Sequence, residues 1–130
     1  MADATVKSRP LSPHLQAYRM YITMVVSGLH RITGFGMIVS AILVVWWFIA
    51  AAASPEYFAL VDGLLTSWIG TLVMVASLYG LCHHFLNGIR HLIWDTGRML
   101  DKEAVNSSAW FVLVGAPALA ILVLLIVVLG

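Results

Sequence analysis

Helical spacing gathers side chains that could bind a cofactor within an otherwise apolar stretch. His84 lies in a run rich in leucine, valine and isoleucine, with Gly80 and Gly88 four residues to either side. In an α-helix these positions share one face, so the imidazole projects between two residues without side chains. The clearance suits a flat group such as a porphyrin, whose iron accepts a neutral imidazole as axial ligand. The same spacing is typical of close helix packing, with the histidine hydrogen-bonded to a neighbouring helix, and both readings stay open.

Two other histidines belong to the same segment. His83 is adjacent to His84 and points about 100° away around a helix, so only one of the pair can face a given pocket. Periodicity does not say which one does. His91 follows two turns after His84 on the same face, where it could meet a propionate at the membrane edge or stand in interfacial water.

A second cluster precedes these histidines in the chain. Ser27, His30, Arg31 and Gly34 occupy positions i, i+3, i+4 and i+7, which form one stripe on a helix. A hydroxyl, an imidazole and a guanidinium in this arrangement can bind an acceptor of hydrogen bonds. Alternatively, Arg31 reaches lipid phosphates and Ser27 bonds back to its own helix.

Composition fixes the kind of element that must hold these residues. Of the 130 residues, 62% are hydrophobic and 10% are charged, which excludes a soluble domain of this size. The net charge of +1 gives no indication of nucleic-acid binding. Cys82 is the only cysteine, so an internal disulfide and a cysteine metal cage are both excluded.

The sequence predicts an all-α membrane protein with three transmembrane helices. Helix I spans 21–53, and its uncharged core of 22 residues is about 33 Å long, enough for one crossing. Helix II spans 63–93, within which an uncharged run of 27 residues, about 40 Å, requires tilt or projection beyond the lipid. Helix III spans 109–129, with N-caps offered at residues 106–108 and Pro117 tolerated inside.

The distribution of charge predicts how these helices are oriented. Every lysine and arginine falls in segment 1–20, near the start of helix I, or around the connection 94–108. Glu56 and Asp62 are the only charges near connection 54–62. The positive-inside rule therefore makes segments 1–20 and 94–108 cytoplasmic and 54–62 periplasmic.

Two motifs at a fixed separation resemble a known family. Ser27 to Gly34 (SGLHRITG) is followed about fifty residues later by His84 to Asp95 (HFLNGIRHLIWD). Together with the leader Arg9 to Leu15 (RPLSPHL), they resemble the cytochrome b large membrane-anchor subunit of succinate dehydrogenase. The resemblance covers nearly the whole chain, including its length and three-helix topology.

The resemblance implies roles for particular residues. His84 would be an axial ligand of the iron of haem b, with the second ligand supplied by a small membrane-anchor subunit. Ser27 and Arg31 would border the ubiquinone site, and His30, Arg31 and His91 would lie near the haem propionates. The histidine at position 83 departs from the usual family pattern and leaves its own role open.

The implied function is electron transfer from succinate oxidation to the quinone pool. A flavoprotein subunit would oxidise succinate and an iron-sulfur subunit, docked on the cytoplasmic face, would pass on the electrons. These anchor helices would form part of a larger bundle in membrane lipid, in the bacterial inner membrane or in the mitochondrial inner membrane of a eukaryote. The alternatives are a fumarate reductase anchor and a non-redox membrane scaffold. A haem absorption spectrum would distinguish the scaffold from a redox subunit.

Overall fold

The apolar runs of the sequence fold into long helices joined by short connections. The computed structural model describes residues 19–130, so the predicted segment 1–20 lies almost wholly outside the described residues. Within the described range the helices are α1 (Ile22–Ala53), α2 (Pro55–Leu65), α3 (Trp68–Asp95) and α4 (Lys102–Leu129).

Three of these helices, α1, α3 and α4, are long and apolar enough to cross a membrane. Their most apolar stretches are little buried inside the chain, and large apolar side chains such as Phe35, Ile42 and Leu125 are exposed. Such surface is compatible with lipid or a membrane partner and not with water. The prediction of an all-α membrane protein with three spanning helices is confirmed.

The connection predicted over 54–62 contains a helix of its own, α2. Ser54 caps it by accepting a hydrogen bond of 3.2 Å from the Tyr57 N–H, and Pro55 occupies the first helical position. Glu56 lies in the first turn, and hydrogen bonds to its carboxylate from its own backbone N–H and from the Ser54 hydroxyl lower its pKa. A serine, a proline and an acidic residue in succession are a helix-start signal. The prediction of connection 54–62 used only its charges and so did not include this helix.

Two bonds from tryptophans attach α2 to the end of α1. Trp46 donates to the Tyr57 hydroxyl over 2.8 Å, and Trp47 donates to Oδ1 of Asp62 over 3.1 Å. Amphipathic aromatic rings of this kind are common where a helix leaves the hydrocarbon.

The starts of α3 and α4 also differ from the predicted bounds. The long uncharged run from 63 is divided, because its first residues close α2 and Ser67 caps a new helix by accepting from the Gly70 N–H. Helix α4 begins at Lys102, seven residues before the apolar run, and its N-cap is Asp101, whose carboxylate accepts from the Ala104 N–H over 2.9 Å. Hydropathy marks where the lipid begins, whereas the cap marks where the helix begins.

Helix α3 packs against both α1 and α4, which also contact each other. A small buried core of Val26 from α1 and of Ala109 and Val112 from α4, with Leu86 of α3 packed against it, joins the three helices at the end where α1 begins and α3 ends. Further along, the Ser40 hydroxyl donates to the Ser77 hydroxyl over 2.7 Å, a direct polar link between α1 and α3 within the apolar region. The antiparallel order of α1 and α3 brings Ser27, His30 and Arg31 of α1 to the same end as His84 and His91 of α3.

Candidate functional site where α1 meets α3

Three histidines from two helices come together at this end of the molecule. The imidazole rings of His30 and His84 are stacked, with their centroids 3.9 Å apart and an interplanar angle of 14°. The His91 ring lies 5.5 Å from that of His30, centroid to centroid, and is nearly perpendicular to the Trp94 ring. The spacing along each helix placed these residues on common faces, and the packing of α1 on α3 turns those faces toward each other.

Gly80 and Gly88, the glycines on either side of His84, have different surroundings. A side chain at Gly80 would contact Thr33 of α1 at 3.8 Å, so this glycine lies in the close approach of the two helices. A side chain at Gly88 would meet nothing within 4 Å, so this position leaves open space beside His84. Gly80 therefore belongs to the packing of α3 on α1, whereas Gly88 leaves the surface beside His84 open.

The neighbouring histidines of α3 occupy opposite environments. His83 is completely buried by atoms of its own chain, with its ring 6.0 Å from that of Tyr79. Neither of its ring nitrogens has a hydrogen-bond partner in the part of the chain that the structure describes. His84 is only partly buried, and of its nitrogens Nδ1 is the one enclosed without a partner among residues 19–130. A group approaching from outside the chain can reach His84 and not His83.

Ser27 and Arg31 extend the site toward the end of α1. Ser27 is half-buried and Arg31 is exposed. The bond from a side-chain hydroxyl back to its own helix is made by Thr33, whose hydroxyl donates to the carbonyls of Leu29 and His30. Within residues 19–130 neither Ser27 nor Arg31 makes a side-chain hydrogen bond that the structure records, which leaves both available to a ligand.

A buried polar cluster that the sequence did not predict lies beside the site. Arg90 is 5% exposed and donates to the Ser108 hydroxyl (2.8 Å), to Oδ1 of Asn87 (3.3 Å) and to the Val105 carbonyl (3.0 Å). Its guanidinium also lies 3.9 Å from the centre of the Trp94 ring. The signal was present as an asparagine and an arginine at i and i+3 in an apolar helix. This cluster ties α3 to the first turns of α4 and so supports the helix that carries His84.

The arrangement fits a flat iron-bound group better than a metal ion held by protein alone. No group of three or more metal-ligating side chains is assembled anywhere in residues 19–130. His84 instead offers a single imidazole that is reachable from outside the chain. An axial ligand needs only one nitrogen per chain when a porphyrin occupies the other positions of the iron.

The fold and site define a class: an all-α, multi-pass membrane protein whose ionisable side chains collect where two spanning helices meet at one end. The profile of the succinate dehydrogenase/fumarate reductase transmembrane subunit family matches residues 5–127, and the chain belongs to this family. The relatives agree with that assignment and span almost the same length.

Three relatives illustrate the similarity. The chain is 39% identical over 126 residues to the succinate dehydrogenase cytochrome b556 subunit of Paracoccus denitrificans, covering 97% of each protein. It is 38% identical over 106 residues to the cytochrome b556 subunit of Rickettsia prowazekii, covering 82% of each. It is 35% identical over 121 residues to the cytochrome b560 subunit of Marchantia polymorpha, covering 88% of each. The chain is thus a membrane-anchor subunit of a succinate dehydrogenase, an oxidoreductase complex.

Proposed function

We propose that this anchor subunit binds haem b through His84 and forms part of the ubiquinone reduction site, so that electrons from succinate oxidation reach the quinone pool. The observation that carries the proposal is the contrast between the adjacent histidines. His84 faces the polar stripe of α1 and is open to a group from outside, whereas His83 is sealed inside the chain.

Haem b, when bound, supplies an iron that accepts and releases one electron at a time. In this chain Nε2 of His84 would hold the iron, because Nδ1 is enclosed. The second ligand would come from a small membrane-anchor subunit. His30, Arg31 and His91 lie at the membrane edge of the same site and would bind the propionates with positive charge and N–H groups.

Ser27 and Arg31 would serve the quinone. The two residues are one helical turn apart, and their side chains are free to turn toward the same ligand. The Ser27 hydroxyl would donate to a quinone carbonyl, and the Arg31 guanidinium would stabilise the negative charge that builds up on reduction. A hydrogen bond to a charged group contributes about 1.5 to 3 kcal/mol, so Arg31 is expected to matter more than Ser27.

The partners would dock at the same end of the molecule. All cationic side chains of residues 19–130 (Arg19, Arg31, Arg90, Arg98, Lys102) lie toward the end at which α1 begins and α3 ends. By the positive-inside rule this end faces the cytoplasm. An iron-sulfur subunit carrying the flavoprotein subunit would therefore deliver electrons beside Ser27 and Arg31. The family also contains fumarate reductase subunits, and the names of the relatives favour the succinate dehydrogenase direction.

The haem assignment is tested by a matched pair of adjacent substitutions. His84→Ala removes the proposed ligand, and the purified complex should lose its low-spin b-type signal in a reduced-minus-oxidised spectrum. His83→Leu fills similar volume at the sealed position and should keep that signal. A complex that loses haem with the His83 change and keeps it with the His84 change would reverse the assignment.

The quinone role is tested by separating two electron acceptors. Complexes carrying Ser27→Ala or Arg31→Leu should still pass electrons from succinate to an artificial dye that accepts upstream of the membrane. Their ubiquinone reduction should fall, more strongly for Arg31→Leu because a positive charge is lost as well. Haem content is measured in the same samples, since Arg31 also lies beside the proposed propionates. Normal ubiquinone reduction in both fully assembled variants would refute the quinone role.

A further inference from the structure

We infer that helix α1 fixes the plane of the His84 imidazole, with Gly34 contacting the edge of the ring and His30 covering its face. The inference rests on the proposed ligation of haem by His84 and assigns to Gly34 and His30 a positioning role in it. It concerns the orientation of the ligand ring and not the identity of the ligand.

Gly34 is the contact at the edge of the ring. A Cβ added at position 34 would lie 3.1 Å from Cε1 and 3.5 Å from Nδ1 of His84, the first of which is shorter than an ordinary van der Waals contact. Gly36, two residues further on and facing elsewhere, would place a Cβ with nothing within 4 Å. Glycine at 34 therefore lets the α1 backbone act as a wall against which the imidazole rests.

His30 is the contact at the face of the ring. With centroids 3.9 Å apart and planes only 14° from parallel, the two imidazoles leave no room for the His84 ring to turn about its Cβ–Cγ bond. His30 and Gly34 are four residues apart and lie on the same face of α1, so one rigid helix supplies both contacts.

The two contacts replace a device that metal-ligating histidines ordinarily use. Such a histidine usually donates its second N–H to a carboxylate or carbonyl, which fixes the orientation of the ring. Nδ1 of His84 is buried and has no such partner among residues 19–130. Orientation at this ligand is therefore a matter of packing against α1, and it is sensitive to the volume of residue 34.

The consequence is measurable because the planes of the axial ligands govern the electronic anisotropy of low-spin haem iron. Gly34→Ala should move the imidazole by a few tenths of an ångström and shift the low-field electron paramagnetic resonance line of the oxidised complex. Because the displaced ring no longer rests in the position set by α1, haem retention during dilution should also fall. Gly36→Ala is the matched control and should leave the resonance line and haem retention unchanged.

A second pair of variants tests the face contact. His30→Phe keeps a flat ring over His84 without a hydrogen-bonding nitrogen, whereas His30→Ala removes the ring. Both variants lose the nitrogens proposed to meet a propionate, so the stacking role predicts a resonance line closer to that of the unsubstituted complex in His30→Phe than in His30→Ala. This pair keeps the inference testable if Gly34→Ala does not assemble.

The outcomes separate this inference from the function on which it rests. Identical resonance lines for Gly34→Ala and Gly36→Ala, or equal shifts for His30→Phe and His30→Ala, would overturn the positioning role while haem bound through His84 stayed in place. Retention of haem by His84→Ala would instead remove the proposed ligation itself.

Discussion

Arg90 should contribute strongly to the docking of α4 against α3. Its guanidinium is almost completely buried and reaches three acceptors and one aromatic ring. The perturbation is Arg90→Met, which keeps a long apolar stem and removes the charge and every donor. We expect the anchor to lose cohesion at the end that carries the candidate site.

The magnitude follows from what each partner is left with. The Val105 carbonyl still accepts from the Ser108 hydroxyl over 3.0 Å, so it is not orphaned. Asn87 is 0% exposed, its Nδ2 already lacks a partner among residues 19–130, and Arg90 is the recorded donor to its Oδ1. A buried amide without partners costs about 1 to 3 kcal/mol, and the lost cation–π contact adds about 1 kcal/mol. Relief of the buried charge offsets part of this, which leaves a net loss of about 2 kcal/mol.

A loss of about 2 kcal/mol corresponds to roughly a 30-fold change in the ratio of docked to undocked α4. The assay heats the purified complex in steps and follows ubiquinone reduction beside upstream dye reduction. The temperature at which half of the ubiquinone-reducing activity is lost should fall for Arg90→Met. It should stay unchanged for Arg98→Met, because Arg98 is exposed. In the double variant Asn87→Leu/Arg90→Met it should largely recover. Equal temperatures for Arg90→Met and Arg98→Met would refute the reasoning, as would a double variant no more stable than Arg90→Met.

Three other predictions follow from the described helices. A periplasmic activity reporter fused after Gly130 should be active and one fused near Lys102 inactive, and the reverse pattern would contradict the proposed orientation. Gly70→Ala should impair assembly of the anchor, because a Cβ there collides with the last carbonyls of α2, and normal yields of intact complex would count against this. Trp47→Phe should lower the unfolding free energy by about 1 kcal/mol, because the bond to Asp62 is lost while the aromatic packing remains; an unchanged melting temperature would show that this bond is not stabilising.

The sequence predicts the spanning helices well because lipid imposes one dominant requirement. Any segment that crosses the hydrocarbon must be long, apolar and internally hydrogen-bonded, and α1, α3 and α4 are visible on those grounds alone. The faces of α1 and α3 were also predictable, since a residue every third or fourth position shares a side. His30 and His84 follow that rule and end up in contact.

The other features of the site depend on contacts between helices, and the periodicity of a single helix does not predict these contacts. His83 and His84 differ by about 100° of rotation, and the way α3 packs against its neighbouring helices decides which one is sealed. Gly34 looked like one member of a polar stripe, whereas its position against a ring of α3 is a fact of packing. The helix-start signals at Ser54 and Asp101 are present in the sequence. A prediction based on hydropathy does not detect them, because these caps lie outside the apolar runs.

The side-by-side placement of His83 and His84 also limits how the gene can vary. Deleting one codon anywhere between Ser67 and His83 would rotate one part of α3 by about 100° against the other and shift it by about 1.5 Å. If the first part of α3 keeps its place, His84 then takes the sealed position of His83, and Phe85 takes the position in which His84 faced α1. Length polymorphism should therefore be confined in evolution to α2 and the turn over 96–101, while the register of α3 is inherited as a unit.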